Sequence, residues 1–274
     1  MTIEELIQEG KKEIHKDLAM MLLGNILNYN SLELLLHLND FVNDNQIKEF
    51  HDKINLVKNN KPIQYVIGNV NFYGLTYKVN KNVLIPRFET EELVENTINL
   101  INKYFSKPLD IIDLGTGSGC IGITLKKKLD NVSVSLVDIS NDALLVARDN
   151  AIYNNASVNL ILSDMWDHVD GKFDVIISNP PYIKINEEID DIVYNNEPHL
   201  ALYGGIDGLD LYKKIRKDLE SHVKDKFLLA LEIGYDQKND VIGIFNDMDN
   251  VKIISKKDLS GRDRMIFVLR NIDI

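Results

Sequence analysis

Hydrophobic and polar positions change rhythm twice along this chain. Over residues 2–60 the apolar side chains recur at three- and four-residue intervals, as in Ile3, Leu6, Ile7, Ile14, Leu18, Met21 and Leu22. Helices that bury one face have this period. Ser31 precedes the run Leu32–Phe41 as an N-cap, and Asn43–Val57 reads as a further helix. From Val66 to Val79 the chain turns to β-formers, with Val70, Phe72, Leu75, Tyr77 and Val79 around the turn signal Asn71-Phe72-Tyr73-Gly74. That pattern predicts a β-hairpin.

The second change follows Thr90, where short apolar runs begin to alternate with helical stretches. Strands are expected over Leu109–Leu114, Val132–Val137, Val158–Leu162, Val175–Ser178, Phe227–Ile233, Val251–Ser255 and Met265–Leu269. Helices are expected over Cys120–Leu129, Asn141–Asn154, Leu209–Val223 and Lys238–Asn246. Alternation of this kind predicts an α/β fold with a mostly parallel sheet covered by helices on both faces. The segment Ile183–Leu209 is long, polar and aperiodic. Such loops are usually functional or mobile, and this one directly follows Tyr182, so it reads as part of a substrate wall. The expected organisation is a helical domain over 1–62, a β-hairpin linker over 63–85 and an α/β domain over 86–274.

Composition narrows the function. The chain has 274 residues, 45% hydrophobic and 27% charged, which suits a globular protein of two modest domains. No apolar run approaches the ~18 residues of a membrane span. The start, Met-Thr-Ile-Glu-Glu-Leu-Ile, is acidic and amphipathic, unlike a secretion signal. A single cysteine, Cys120, allows no internal disulfide and points to the reducing cytoplasm. Six scattered histidines show no metal-ligand spacing, so no metal is expected. The formal charge is −11, and residues 1–85 hold nine Lys against ten Asp or Glu, so most of the excess falls later. Nothing here resembles the basic face of a dedicated nucleic-acid binder.

The candidate chemistry lies at strand ends. Ser178-Asn179-Pro180-Pro181-Tyr182 follows the apolar run Phe173–Ile177. Two prolines cannot continue a strand ladder, so the strand stops at Asn179. The Asn179 amide and the Pro180 carbonyl are then held at the carboxyl edge of the sheet, where open α/β sheets bind ligands. Two fixed acceptors beside an aromatic ring suit a planar –NH₂ group. Asp113-Leu114-Gly115-Thr116-Gly117-Ser118-Gly119-Cys120 ends another strand in a glycine turn. Its G-x-G-x-G spacing lets a ligand approach the backbone but offers no Lys for a phosphate. Asp138 ends the next strand, placed to accept from ribose hydroxyls. Ser163-Asp164-Met165-Trp166 ends a third: Asp164 can accept from an exocyclic amine, and Met165 or Trp166 can pack on a base. Together these elements fit S-adenosylmethionine better than NAD or ATP. Cys120, opening a helix, is open to a lowered thiol pKa or to a role as a small residue beside the loop.

These residues resemble the HemK/PrmC protein-(glutamine-N5) methyltransferases. The likeness is carried by Pro62-Ile63-Gln64-Tyr65-Val66-Ile67-Gly68, by Ile85-Pro86-Arg87-Phe88-Glu89-Thr90-Glu91, by Asp113–Gly119 and by Asn179–Tyr182. Glu197-Pro198-His199-Leu200-Ala201-Leu202, Leu231-Glu232-Ile233-Gly234 and Gly261-Arg262-Asp263-Arg264 extend it over most of the chain. Phe88 departs from the proline usual there. The resemblance implies a class I S-adenosylmethionine-dependent methyltransferase: a Rossmann-like, seven-stranded, mostly parallel sheet whose last strand, near Met265–Leu269, runs antiparallel. It implies S-adenosylmethionine as methyl donor, with S-adenosylhomocysteine as product. The implied substrate is the glutamine of the Gly-Gly-Gln loop of peptide chain release factors. On this reading Asn179, Pro180 and Tyr182 are catalytic. Gly115, Thr116, Gly117, Ser118, Gly119, Asp138, Asp164, Met165, Trp166 and Asn179 hold the cofactor. Arg87, Glu89, Glu197 and Pro181 join the Asn179–Tyr182 turn in holding the substrate. A monomer without membrane or nucleic-acid partner is expected. The rival is an adenine-amino methyltransferase, whose flipped base also presents a planar –NH₂.

Overall fold

The structure, a computed structural model, describes residues 1–272. The chain forms two compact units, one of residues 1–69 with 190–196 and the other of 70–189 with the residues from 197 onward.

The first unit holds α1 (Ile3–Gly10), α2 (Lys16–Leu27), α3 (Ser31–Leu36), α4 (Asp44–Lys58) and α5 (Ile63–Ile67), joined by the later helical segment Asp191–Asn196. Capping boxes set three of the starts: Thr2 with Glu5, Asn30 with Glu33, and Asn43 with Gln46. The cap of α3 is therefore Asn30 and not Ser31, because Asn30 Oδ1 accepts the Leu32 and Glu33 N–H groups, each at 2.9 Å. The same helix stops at Leu36, and Phe41 stands 84% exposed beyond it. Leu6, Leu22, Leu23 and Phe50 fill the core. At Gly10 a Cβ would lie 2.8 Å from the Phe50 ring, so glycine allows α1 to lie close on α4.

The second unit opens with the hairpin β1 (Asn69–Phe72) and β2 (Leu75–Lys78). Tyr73 and Gly74 take φ of 49° and 77°, the two left-handed residues of a type I′ turn. There follow α6 (Phe88–Tyr104), β3 (Leu109–Leu114), α7 (Cys120–Lys128), β4 (Val132–Asp138), α8 (Asn141–Tyr153), β5 (Asn159–Leu162) and β6 (Phe173–Ser178). The chain then gives α9 (Asp191–Asn196) to the first unit and returns. It continues with α10 (Asp210–His222), β7 (Val223–Glu232), α11 (Lys238–Phe245), β8 (Val251–Lys257) and β9 (Asp263–Arg270). The sequence pattern does not announce α6. Its buried positions Thr90, Leu93, Val94, Thr97 and Ile101 keep helical spacing, but the threonines blur the apolar stripe. Phe88 is its first residue and is 63% exposed. Proline is tolerated at that position because its missing N–H has no helical partner, and phenylalanine starts the helix equally well.

The seven strands lie in the order β5-β4-β3-β6-β7-β9-β8. Contacts between β3, β4, β5, β6 and β7 are parallel, while β9 runs antiparallel to both β7 and β8. Neighbouring residues on a strand point to opposite faces. Ile111, Val134, Val175 and Leu228 thus join one core beneath α6, α7 and α8, and Ile112, Ile176 and Leu229 join the other beneath α10 and α11. Burial on both faces explains why these strands read as unbroken apolar runs. The chain reverses its direction of travel between β3 and β6, and at such a switch point the carboxyl strand ends leave a crevice.

Candidate active site

Residues Gly115–Gly119 leave β3 and enter α7 at that crevice. Gly115 and Gly117 have φ of +70° and +54°, and a Cβ on either would meet nothing within 4 Å. Their bare backbone borders open space. Gly119 differs: its Cβ would sit 2.7 Å from the Ile123 side chain, so this glycine serves helix packing. Asp113 is fully buried beneath the loop. Its Oδ2 accepts the Thr116 hydroxyl at 2.5 Å and the Gly122 N–H at 3.0 Å, while Oδ1 has no partner among the described residues. Burial pushes its pKa up to about 7.

Asp138 ends β4 beside this loop. Its Oδ2 accepts the Gly117 N–H at 2.8 Å and its Oδ1 the Ser140 N–H at 2.9 Å. It is not the cap of α8; the Ser140 hydroxyl takes that role by accepting from Ala143 N–H. Each carboxylate oxygen keeps a further lone pair for a ligand hydroxyl. Burial raises the Asp138 pKa. Asp164 lines the same cleft, ion-paired to Lys214. Met165 takes a left-handed φ of 53° and also lines the cleft. Trp166 does not. Its Nε1–H donates to the Ile215 carbonyl at 2.9 Å and its ring stacks on His222 at 4.6 Å, in the core beneath α10. The expectation of Trp166 against a base is thereby corrected, since its N–H and ring face already have partners.

The Ser178–Tyr182 turn stands next to the glycine loop. The Ser178 hydroxyl donates to the Leu114 carbonyl at 2.6 Å and ties the ends of β6 and β3 together. Asn179 Nδ2 donates to Thr90 Oγ1 at 3.1 Å, and the Thr90 hydroxyl donates to Glu232 Oε2 at 2.7 Å. Asn179 and Pro181 line the cleft. Pro180 is buried, and Tyr182 packs against the core that holds Ile112 and Tyr212. Burial pushes the Tyr182 phenol up to about 12, so it stays protonated. The turn is clamped from behind: Gln237 Nε2 donates to the Tyr182 carbonyl at 3.0 Å. A Cβ on Gly204 would lie 2.4 Å from the Pro181 carbonyl. Ile183 exchanges backbone bonds with Leu202 and Gly204, which brings the 197–209 stretch against the turn.

Arg87 lines the cleft, but Glu197 does not. Glu197 is 5% exposed and accepts from the Ile85 N–H at 3.1 Å and from Arg87 Nη2 at 2.5 Å. Its expected contact with substrate is replaced by an internal role, because its carboxylate is buried against the 85–87 segment and does not reach the cleft. Glu89 is half-buried in the first turn of α6 and is not part of the lining. Cys120 has its thiol pushed up to about 12 by burial, which outweighs its place at a helix start. In the Arg262-Asp263-Arg264 cluster, Arg264 pairs with Asp258 at 3.3 Å and Asp263 with Lys238 at 3.3 Å. Thr90, Glu232 and Lys214 belong to the site and had no role assigned from sequence. Thr90 and Glu232 lie in motifs visible there and Lys214 in none, and no spacing rule joins residues so far apart in the chain.

The cleft has a volume of 370 Å³. Open backbone at two glycines, a carboxylate with spare lone pairs at the next strand end, and a thioether at the third fit an elongated ligand with a ribose and a flat base. No group of three or more His, Cys, Asp or Glu among the described residues is arranged to hold a metal ion. No helix among them is long and apolar enough to cross a membrane.

Known proteins resemble this chain in sequence and in fold. Residues 2–68 match the PrmC N-terminal domain family and residues 90–199 the methyltransferase small domain family. A release factor glutamine methyltransferase of Lactococcus lactis is 40% identical over 247 residues, covering 89% of this chain and 90% of that protein. One of Streptococcus pneumoniae is 36% identical over 270 residues, covering 97% and 94%. Among solved structures, the T. thermophilus 16S rRNA N2 G1207 methyltransferase in complex with AdoMet and guanosine shares the fold. It has a TM-score of 0.53 and 14% identity, and covers 74% of this chain and 50% of that one.

Proposed function

The chain belongs to the release factor glutamine methyltransferase family, and from that premise we propose how its cleft performs the reaction. It transfers a methyl group from S-adenosylmethionine to the side-chain amide nitrogen of the glutamine in the Gly-Gly-Gln motif of peptide chain release factors. One observation carries the site assignment. Asn179 lines the cleft at the end of β6, and its Nδ2 is already committed to Thr90. The same –NH₂ group also hydrogen-bonds the Glu232 carboxylate, so what remains for a ligand is the amide oxygen, an acceptor.

Gly115, Thr116, Gly117 and Ser118 would offer backbone to the methionine part of the cofactor, Asp138 would accept from its ribose, and Asp164 and Met165 would border the base. Bound there, S-adenosylmethionine supplies an electrophilic methyl carbon on a sulfonium.

A carboxamide nitrogen is a poor nucleophile because its lone pair is delocalised into the carbonyl. The protein therefore works by position and charge. The Asn179 amide oxygen and the Pro180 carbonyl accept the two N–H bonds of the glutamine amide and point its lone pair at the methyl carbon. As the nitrogen gains positive charge its protons grow more acidic, and both acceptors bind the transition state better than the ground state. Pro181 borders the amide plane and helps exclude water, while Tyr182, expected from the sequence to pack there, backs the turn from the core. Transfer to the nitrogen would leave the donor as a neutral thioether, and the surplus proton passes from the nitrogen to solvent. Arg87, held by Glu197, borders the approach of the release factor loop. The enzyme acts as a cytoplasmic monomer, without nucleic acid or membrane.

Methyl-labelled S-adenosylmethionine offered to three acceptors tests this reading. Label is expected in release factor and absent from release factor with its loop glutamine changed to alanine, and absent from unmodified DNA. Label in the alanine variant or in DNA contradicts it.

A further inference from the structure

Glu232 is 1% exposed at the end of β7 and touches no ligand in the mechanism above. It is nevertheless joined to Asn179, through the Thr90 hydroxyl and by a side-chain hydrogen bond of its own. Thr90 Oγ1 donates to Glu232 Oε2 at 2.7 Å and receives Asn179 Nδ2–H at 3.1 Å. A hydroxyl has one proton. While the carboxylate takes it, the Thr90 oxygen presents only lone pairs to Asn179. It can then face the –NH₂ end of that amide and not the oxygen.

We infer that the Glu232 carboxylate, acting through Thr90, is a positioning device that locks the Asn179 amide with its oxygen toward the cleft. An asparagine side chain is nearly symmetric in shape, so packing alone does not select between its two orientations. The reversed orientation would aim Nδ2–H at a substrate N–H, donor against donor. The hydrogen-bond polarity of the Glu232–Thr90–Asn179 chain supplies the selection. This inference rests on the proposed role of Asn179 as an acceptor.

The lock depends on the charge of Glu232. Burial raises its pKa to about 7. From α6, Thr90 holds the charged form by its hydrogen bond while Glu89 disfavours it, and Arg264 on β9 attracts it. Asn179 also favours the carboxylate. Tyr182 and Tyr212 lie near it but stay uncharged, and the Tyr212 hydroxyl donates to the Glu232 backbone carbonyl at 2.9 Å. The Cys120 thiol on α7 is likewise neutral. Once protonated, Glu232 can donate to Thr90, which frees the Thr90 proton for the Asn179 oxygen and reverses the chain. Turnover therefore rises as pH climbs through the Glu232 titration.

The test compares kcat, KM for release factor and cofactor affinity between pH 5.5 and 8.5 for the wild type, Glu232→Gln, Thr90→Val and Thr90→Ser. Wild-type kcat at pH 6 should lie about tenfold below its plateau, as a single group titrating near neutrality dictates. Thr90→Val, isosteric but without the hydroxyl, should lose at least about tenfold in kcat at pH 8 and flatten the acid limb, with cofactor affinity unchanged. Thr90→Ser should recover most of that loss and the limb. Glu232→Gln should remove the limb, because glutamine does not titrate. An acid limb that persists in folded Glu232→Gln, or equal kcat in Thr90→Val and the wild type, overturns the inference. Should Glu232→Gln fail to fold, the Thr90 pair decides alone. Absence of methyl transfer by the wild type at every pH would instead overturn the proposed function.

Discussion

Asp138 offers a quantitative test of the cofactor cleft. Its two carboxylate oxygens each hold one backbone N–H, that of Gly117 at 2.8 Å and that of Ser140 at 2.9 Å. Each keeps a lone pair for a ribose hydroxyl. A hydrogen bond to a charged group contributes about 1.5–3 kcal/mol. Losing two at the lower end costs about 3 kcal/mol, or a factor of ~100 in dissociation constant. Asp138→Ala should weaken S-adenosylmethionine binding by that factor. Asp138→Asn is not a mild replacement. Its side chain carries one acceptor where two backbone donors converge, so either Gly117 or Ser140 faces an –NH₂ group. That unpaired buried donor should cost about 1–3 kcal/mol of stability, and the acceptor lost to the ribose should lower affinity at least ~5-fold. Neither variant should lower kcat more than about threefold once cofactor saturates, because the ribose lies away from the transferred methyl. Burial raises the Asp138 pKa, so protons reach this carboxylate at higher pH than they reach an exposed aspartate. Cofactor affinity should fall with acidification and should lose that dependence in Asp138→Asn. Isothermal calorimetry against pH, with saturated turnover in parallel, reads all of these quantities. Affinity within threefold of wild type in Asp138→Ala would refute the ribose contact and leave Asp138 as a fastener of two backbone loops.

Two glycines of one neighbourhood should respond in opposite ways. At Gly122 a Cβ would fall 2.2 Å from the Leu136 side chain, so Gly122→Ala should destabilise the fold by about 1–3 kcal/mol through overpacking, read as a lowered denaturant midpoint. At Gly117 a Cβ meets open cleft, so Gly117→Ala should cost only about 1 kcal/mol of backbone strain yet weaken cofactor affinity at least tenfold. The Cys120 thiol, pushed up to about 12, should react with iodoacetamide about 10³-fold more slowly than a free cysteine at pH 8. Since the shift is upward, its rate should still climb tenfold per pH unit at pH 10, where an ordinary thiol has levelled off. Unfolding should restore ordinary reactivity.

Much of the catalytic architecture was legible because it lies in short contiguous runs. The apolar strands, buried on both faces, announce themselves without structure, and the glycine turn and Asn-Pro-Pro-Tyr mark where two of them end. Helix α6 was hidden because Thr90 and Thr97 occupy buried positions that a hydrophobic count scores as polar. Asn30 and Ser31 are both good caps, and only the backbone decided between them. The orientation of a residue past a strand end is likewise a three-dimensional matter. Met165 and Trp166 are adjacent and both join the core, yet only Met165, at its left-handed φ, also lines the cleft. Glu197 was expected at the substrate because its segment resembles the family's substrate wall; here its carboxylate is buried against Arg87 and the Ile85 N–H. The Asn179–Thr90–Glu232 chain joins residues 89 and 142 positions apart, beyond any local pattern.

The claim on which the account stands is that the Asn179 amide oxygen grips the –NH₂ of a glutamine side chain. Single-turnover methyl transfer to release factor by Asn179→Ala, with the enzyme saturated in cofactor, measures this directly. The rate should drop by about 10²–10³ while melting temperature and S-adenosylmethionine affinity hold, in line with the loss of one fixed transition-state partner. A folded Asn179→Ala protein that methylates at near the wild-type rate would contradict it.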